Sequence, residues 1–238
     1  MIQGPTRRPI LRRLASLAAT AAALASCGST ATADPHSLIS DAKRSVDSAR
    51  ALHFTLSSSG VEQAGGAQIV GGEGDAKRPA EFTGKLDIRF QGLPLSVSVV
   101  SVGHTFYVKL PLSNRFETAD PTKYGFNDPA VFLDPDRGLS SMLAQARSPS
   151  LASRDRYQGE ELDEVKAELP GDMVAGLLTS ADARRPRSDV PVTLGINVAT
   201  HELRRAVLTG LFFDPRKTST YTLILDRYGE DVNISRPA

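Results

Sequence analysis

Gly84-Lys85-Leu86-Asp87-Ile88-Arg89-Phe90, then Leu95-Ser96-Val97-Ser98-Val99, then Thr105-Phe106-Tyr107-Val108-Lys109-Leu110 alternate apolar and polar residues without interruption. A period of two puts Leu86, Ile88 and Phe90 on one face of a strand and Lys85, Asp87 and Arg89 on the other. Leu95, Val97 and Val99 repeat the pattern, as do Phe106, Val108 and Leu110. The connections Gly92-Leu93-Pro94 and Gly103-His104 are too short for a crossover, so the three strands form an antiparallel meander with one apolar face.

Working toward the N-terminus, Phe54 and Leu56 alternate with His53, Thr55 and Ser57, a further strand from Ala51. It leads into the glycine-rich stretch from Gly65 to Gly74. Gly71-Gly72-Glu73-Gly74 lacks the spacing and helix start of a dinucleotide fingerprint and reads as a turn. Before the strand, Asp34-Pro35 is an N-cap followed by Pro at the first helical position. Leu38, Ala42, Val46 and Ala49 then make one helical stripe, opposite Asp41, Lys43, Arg44 and Asp47.

Toward the C-terminus the pattern breaks over Asp120 to Arg147. Asn127-Asp128-Pro129 and Asp134-Pro135-Asp136 are turn and helix-start signals, and Val131, Phe132, Leu139, Met142 and Leu143 make short apolar helical faces. Arg156 to Leu169 reads as strand. Asp172 is placed to cap a helix burying Met173, Val174, Leu177 and Leu178, and Ala181 to Asp189 is a polar, Arg-rich loop. A second meander follows: Val192, Leu194, Ile196 and Val198, then Leu203 to Phe213, Ser219 to Arg227 and Asp231 to Ser235. Many long antiparallel strands with a few helices make an α+β fold. It is a single curved antiparallel sheet whose apolar face the helices cover.

The N-terminus is of another kind. Arg7, Arg8, Arg12 and Arg13 precede the apolar run Leu14 to Leu24, too short for a bilayer core of ~30 Å and so an export signal. It closes on Leu24-Ala25-Ser26-Cys27, which resembles a bacterial lipobox and contains the chain's one cysteine. That resemblance implies cleavage before Cys27 and acylation of its sulfur and new amine, and two or three acyl chains anchor stably. Residues 1–26 are then a lipoprotein signal peptide, 27–34 a flexible tether and 35–238 the folded domain. Thr6-Arg7-Arg8-Pro9-Ile10-Leu11-Arg12 resembles a twin-arginine signal, and that route and ordinary secretion both stay open. Localisation follows as exported, lipid-anchored to the cell membrane and facing the periplasm or cell envelope.

Removing the signal leaves 24 Lys and Arg against 27 Asp and Glu, a net charge of −3 rather than +1. A nucleic-acid partner is not indicated. With its thiol blocked the fold has no disulfide, so its stability comes from the core. The four histidines are isolated. His201-Glu202 resembles a zinc-protease start, but Arg205 stands where the second histidine belongs. Asp134-Pro135-Asp136-Arg137-Gly138 misplaces the glycine of a calcium loop and lacks its closing glutamate. Neither a metal site nor a catalytic set nor a cofactor site emerges, and enzymatic function has no positive support.

The lipobox, the Gly84-to-Leu110 meander, Tyr124-Gly125-Phe126-Asn127-Asp128-Pro129 running into Leu133-Asp134-Pro135-Asp136-Arg137-Gly138-Leu139, and Arg227-Tyr228-Gly229-Glu230-Asp231-Val232 are together similar to the mycobacterial LppX/LprA/LprF/LprG lipoproteins. The resemblance covers nearly the whole mature chain. It implies a half-barrel sheet around helices, with an apolar cavity between them for the acyl chains of envelope lipids. It further implies that such lipids (triacylated glycolipids, triacylglycerol or relatives) are carried toward the outer envelope. The partners implied are that ligand, the membrane through acylated Cys27, and an envelope transport protein.

Leu86 falls where the family places a cavity-lining residue. The sheet wall is then Leu86, Ile88, Phe90, Leu95, Val97, Val99, Phe106 and Val108. The helical wall is Leu38, Val46, Leu139, Leu143 and Leu177. Physics makes such a carrier necessary: at ~0.8 kcal/mol per CH₂, two chains of about sixteen carbons cost on the order of 25 kcal/mol to bring into water. An alternating face by itself makes a solid core. The absence of Trp and the 6% aromatic content leave more small side chains to fill a wide curved sheet. The alternative is a non-transport envelope lipoprotein with a structural or host-interaction role. An enzyme ranks third.

Overall fold

The computed structural model describes residues 33–61, 67–124, 127–178, 188–214 and 216–238, with residues 1 and 4. The export signal, Cys27, the start of the tether and most of the Arg-rich loop lie outside the described residues. Ala33–Ala238 forms one unit. Its first meander is β1 (Ala51–Ser59), β2 (Ala67–Lys77), β3 (Glu81–Phe90), β4 (Leu93–Val102), β5 (Thr105–Lys109) and β6 (Glu117–Thr118). The second is β7 (Arg147–Tyr157), β8 (Glu160–Leu169), β9 (Val190–Asn197), β10 (Leu203–Asp214) and β11 (Lys217–Asp226).

The meanders join where β1 pairs with β11, giving one open antiparallel sheet in the order β6-β5-β4-β3-β2-β1-β11-β10-β9-β8-β7. His53 and Asp226 meet across that seam at 2.9 Å. The predicted antiparallel meander forms, and its register sets Leu86 opposite Val97 and Val99 opposite Val108. Three of the hairpin turns, Gln91-Gly92, Gly103-His104 and Gln158-Gly159, have both residues at positive φ, the turn form that matches strand twist.

Helix α1 (Pro35–Ser48) begins as its sequence dictates, with the Asp34 carboxylate accepting from the Ser37 amide. Its stripe Leu38, Ala42, Val46 is buried against β7–β10 and α2 (Leu139–Ala144). A 3-10 turn, Pro129–Leu133, is capped by Asp128 and lies on β2–β4. The Arg78 guanidinium ties this layer together at one end of the sheet, donating to the carbonyls of Val46, Ala49 and Leu133.

Four local expectations are corrected. Gly71-Gly72-Glu73-Gly74 is not a turn but the middle of β2, beside a bulge. Gly74 sits opposite Gly84 so closely that a Cβ on Gly84 would lie 2.3 Å from the Glu73 carbonyl oxygen. Glycine here permits close strand approach rather than chain reversal. Arg156 to Leu169 is not one strand but the end of β7, a turn and β8. Edge strand β7 escapes pattern reading because both its faces are largely exposed and it carries Pro149.

Asp231 to Ser235 is not a strand, because β1 and β11 already have partners on both sides. The segment packs instead through buried Ile234, and Lys77 donates to the Val232 carbonyl. Asp172 lies inside the first turn of α3 (Gly171–Leu178), where the Pro170 carbonyl accepts from Met173 and Val174. Asp134 closes a turn by accepting from the Asp136 and Arg137 amides, and Gly138 is the N-cap of α2.

Candidate functional site

Between the sheet and the short helical elements lies a cavity of about 120 Å³, within about 1040 Å³ of space free of atoms once its mouth is counted. Phe54 and Leu56 of β1, Ile69 of β2 and Leu86 of β3 line one part of the sheet wall. Leu169, Val192 and Leu194 from β8 and β9, Ala206 and Leu208 from β10, and Tyr221 and Leu223 from β11 line the rest. The opposite wall is Pro129, Val131 and Phe132 of the 3-10 turn, Leu139, Met142 and Leu143 of α2, and Val174 of α3. The cavity therefore straddles the β1–β11 seam.

The lining is apolar but for three residues. The Asp128 carboxylate is occupied, accepting from the Ala130 amide and the Ser101 hydroxyl at 2.9 and 2.8 Å. Asn127 is exposed and marks where the lining reaches solvent. The Tyr221 hydroxyl donates to the Ile69 carbonyl at 2.8 Å, and burial pushes its pKa up, so it stays neutral. Phe212 meets its ring edge-on, 5.4 Å between centroids. No group of His, Cys, Asp and Glu able to hold a metal occurs among the described residues. Such a wall excludes water and presents an almost wholly apolar surface to the space it encloses.

Of the residues chosen from sequence, Leu86, Leu139 and Leu143 line the cavity. Ile88, Val97, Val99, Phe106, Val108, Leu38 and Val46 are buried in the surrounding core without reaching it, and Leu95 is half-buried against that core. Phe90 stands exposed at the end of β3. Leu177 belongs to α3, but its side chain lies outside the described residues, as does Cys27. Most of the sheet wall missed from sequence is on β8–β11. Its signal was available in the alternation Val192-Leu194-Ile196, but nothing local distinguishes a residue facing space from one facing another side chain.

The helical wall is short-jointed: α2 has six residues and the 3-10 turn five. One polar contact places α2, the Ser140 hydroxyl donating to Asp47 of α1. Partial burial works to raise the Asp47 pKa, but the Lys43 ammonium and the Ser140 hydroxyl outweigh it and hold the carboxyl below its ordinary value. A carboxyl lowered on folding contributes stability above its unfolded pKa and loses it as pH falls through the folded one. Melting temperature followed from neutral pH to about pH 3 should therefore fall less steeply in Asp47→Asn than in the parent. The difference is about 1 kcal/mol, because the side chain is one-third exposed.

Residues 34–234 match the LppX_LprAFG lipoprotein family. The chain belongs to that family. Among LppX_LprAFG relatives, the lipoarabinomannan carrier protein LprG of Mycolicibacterium smegmatis is 26% identical over 242 residues, 96% of each chain. The protein of the same name from Mycobacterium tuberculosis is 24% identical over 237 residues, covering 97% of this chain and 95% of its own. The crystal structure of LprF from Mycobacterium bovis superposes with a TM-score of 0.71 at 18% identity, covering 86% of this chain and 97% of LprF. That of the Mycobacterium tuberculosis lipoprotein LppX gives 0.59 at 16%, covering 85% of this chain and all of LppX. Both carry the fold implied by the LppX_LprAFG resemblance. No helix among the described residues is long and apolar enough to cross a membrane.

Proposed function

We propose that the protein is a membrane-tethered lipid carrier, acylated at Cys27, that holds the acyl chains of an envelope lipid or glycolipid in the cavity at the β1–β11 seam and moves them toward the outer envelope. The apolar lining carries this reading: residues from seven strands converge on space that no side chain fills. Native interiors leave few voids larger than a water molecule, and such voids cost stability, so a cavity of this lining and size indicates an occupant. The name of the LprG relatives, lipoarabinomannan carrier, supports an acylated glycolipid as the class of cargo.

About 120 Å³ takes part of one alkyl chain rather than a complete multiply acylated lipid. Loading then requires the helical wall to move outward, and its short α2 and 3-10 pieces are the parts able to do so. The sheet wall is fixed by interstrand ladders on both sides of every lining strand. An envelope transport protein that delivers lipid to the mouth completes the cycle.

The test is mass spectrometry of organic extracts from the mature chain carrying Cys27→Ala, purified from a lipid-rich actinobacterial host. Acylated lipid in near-stoichiometric amount is expected. Protein that yields none under conditions where a known lipid carrier retains its cargo would contradict the proposal.

A further inference from the structure

The sheet has two ends, and among the described residues of its domain the exposed large apolar side chains are confined to one of them. Register places Phe90 and Leu93, the start of β2, the ends of β1, β8 and β10, and the starts of β7, β9 and β11 together there. The chain leaving β5 at Lys109 emerges at this end too, since Lys109 pairs with Ser98 near the start of β4. Apart from Met1, the large hydrophobic residues exposed among the described ones are Leu112, Leu93, Leu211, Phe90 and Leu110. Leu112 is wholly exposed at 104% and Leu93 is 65% exposed. All five stand on the β3–β4 turn, the segment after β5 or the β10–β11 hairpin. None lies at the other end, where Arg78 fastens the helices. Scattered exposed leucines need no explanation, but a rim made of them does.

Three further observations concern the same end. Lys109, Arg115, Arg216 and Lys217 lie on these turns together with two acidic residues, Glu117, which faces Arg115 at 3.7 Å, and Asp214, which stands opposite Lys217 in the hairpin. The excess of two cations belongs to the turns that carry the exposed leucines; on the β7–β9 side of the same end Arg147 faces Asp189 at 2.8 Å and stands opposite Glu168. Helix α1 starts beside it: His36 and Ile39 share a cleft with Ala146 and Pro149 at the head of β7. Residues 27–34 reach at most about 25 Å when extended, which keeps the rim near any anchor at Cys27. The cavity also extends toward this end, since Leu56, Ile69, Leu169, Val192 and Tyr221 lie in the nearer halves of their strands.

We propose that this rim is a membrane-docking surface, which seats Phe90, Leu93, Leu110, Leu112 and Leu211 in the interface of an anionic bilayer while the neighbouring lysines and arginines meet lipid phosphates. Apolar turns set among cations are the combination that binds such an interface. The surface rests on the carrier reading for its purpose, yet it is tested without reference to cargo.

The chain has no Trp, so Leu112→Trp in the mature chain with Cys27→Ala introduces a single site-specific fluorophore. With phosphatidylglycerol–phosphatidylcholine vesicles its emission should shift to the blue and be quenched by brominated acyl chains. Ala199→Trp, exposed on the β9–β10 turn at the other end, should show neither. Adding Leu93→Asp to the Leu112→Trp protein should weaken partitioning about tenfold. Equal responses from the two tryptophans, or none from Leu112→Trp, would overturn the docking surface. Equal binding to pure phosphatidylcholine would overturn its charge component. A docking rim on protein whose extracts contain no lipid would instead count against the carrier reading alone.

Discussion

Leu86→Trp should lower lipid affinity about 100-fold while leaving the protein folded. Leu86 is buried at the middle of β3 and faces the cavity across from the 3-10 turn and α2. An indole there occupies space that three or four methylene groups of an acyl chain would fill. At ~0.8 kcal/mol each, their exclusion costs about 3 kcal/mol of binding, or about two powers of ten. The ring enters an existing void, so overpacking strain stays small and the melting temperature should move by only a few degrees. Leu86→Ala is the control: it enlarges the cavity and should retain its lipid. Extracts are compared by mass spectrometry per mole of folded protein. Equal lipid in the tryptophan variant and the parent would show that acyl chains bind elsewhere.

Gly84→Val should destabilise the fold by about 3 kcal/mol, lowering the melting temperature by roughly 10 °C for a domain of this size. A Cβ at this position would meet backbone only: the Glu73 carbonyl oxygen at 2.3 Å and the Gly74 Cα at 2.8 Å. Neither can swing aside as a side chain could. The same glycine pair leaves room for the ring of fully buried Phe82, which lies 3.1 Å from where a Gly74 Cβ would be and 5.6 Å from Phe54, centroid to centroid. Valine would thus separate β2 from β3 and displace an aromatic contact that supports the cavity wall. Gly103→Ala is the comparison. Nothing lies near its Cβ position, so only its positive φ is strained, at about 1 kcal/mol. Thermal melts of the two variants rank these costs, and a Gly84→Val protein as stable as Gly103→Ala would refute the close-approach explanation.

Strands buried on one face and wet on the other were legible. Leu86 to Phe90, Leu95 to Val99 and Val192 to Ile196 each carry a complete period-two pattern within a single segment. So was α1, because its cap, its proline and its stripe all lie within fifteen residues. The acidic stretch of β8 was not legible. Asp163 and Glu164 are buried as charged residues, which local reading takes for a boundary. Their stabilisation comes from Arg154 on β7 and from Arg205 on β10, the latter at 2.7 Å from Glu164 and stacked on Tyr157. The glycines of β2 failed for the same reason. What makes them strand residues is the backbone of β3 lying against them.

Sequence by itself determined α1, the antiparallel β3–β4–β5 meander, the strands from β9 to β11 and membership in a family of lipoproteins. Each is written in residues near one another or in motifs. Only the tertiary structure decided that the meanders meet at β1 and β11, that the cavity sits over that seam rather than over β3–β5, and that exposed apolar turns gather at one end. An apolar face records that water must be kept away, but not whether a side chain or a guest will do it. That depends on the distance between two layers, which is set by residues as far apart as Phe54, Leu143 and Tyr221.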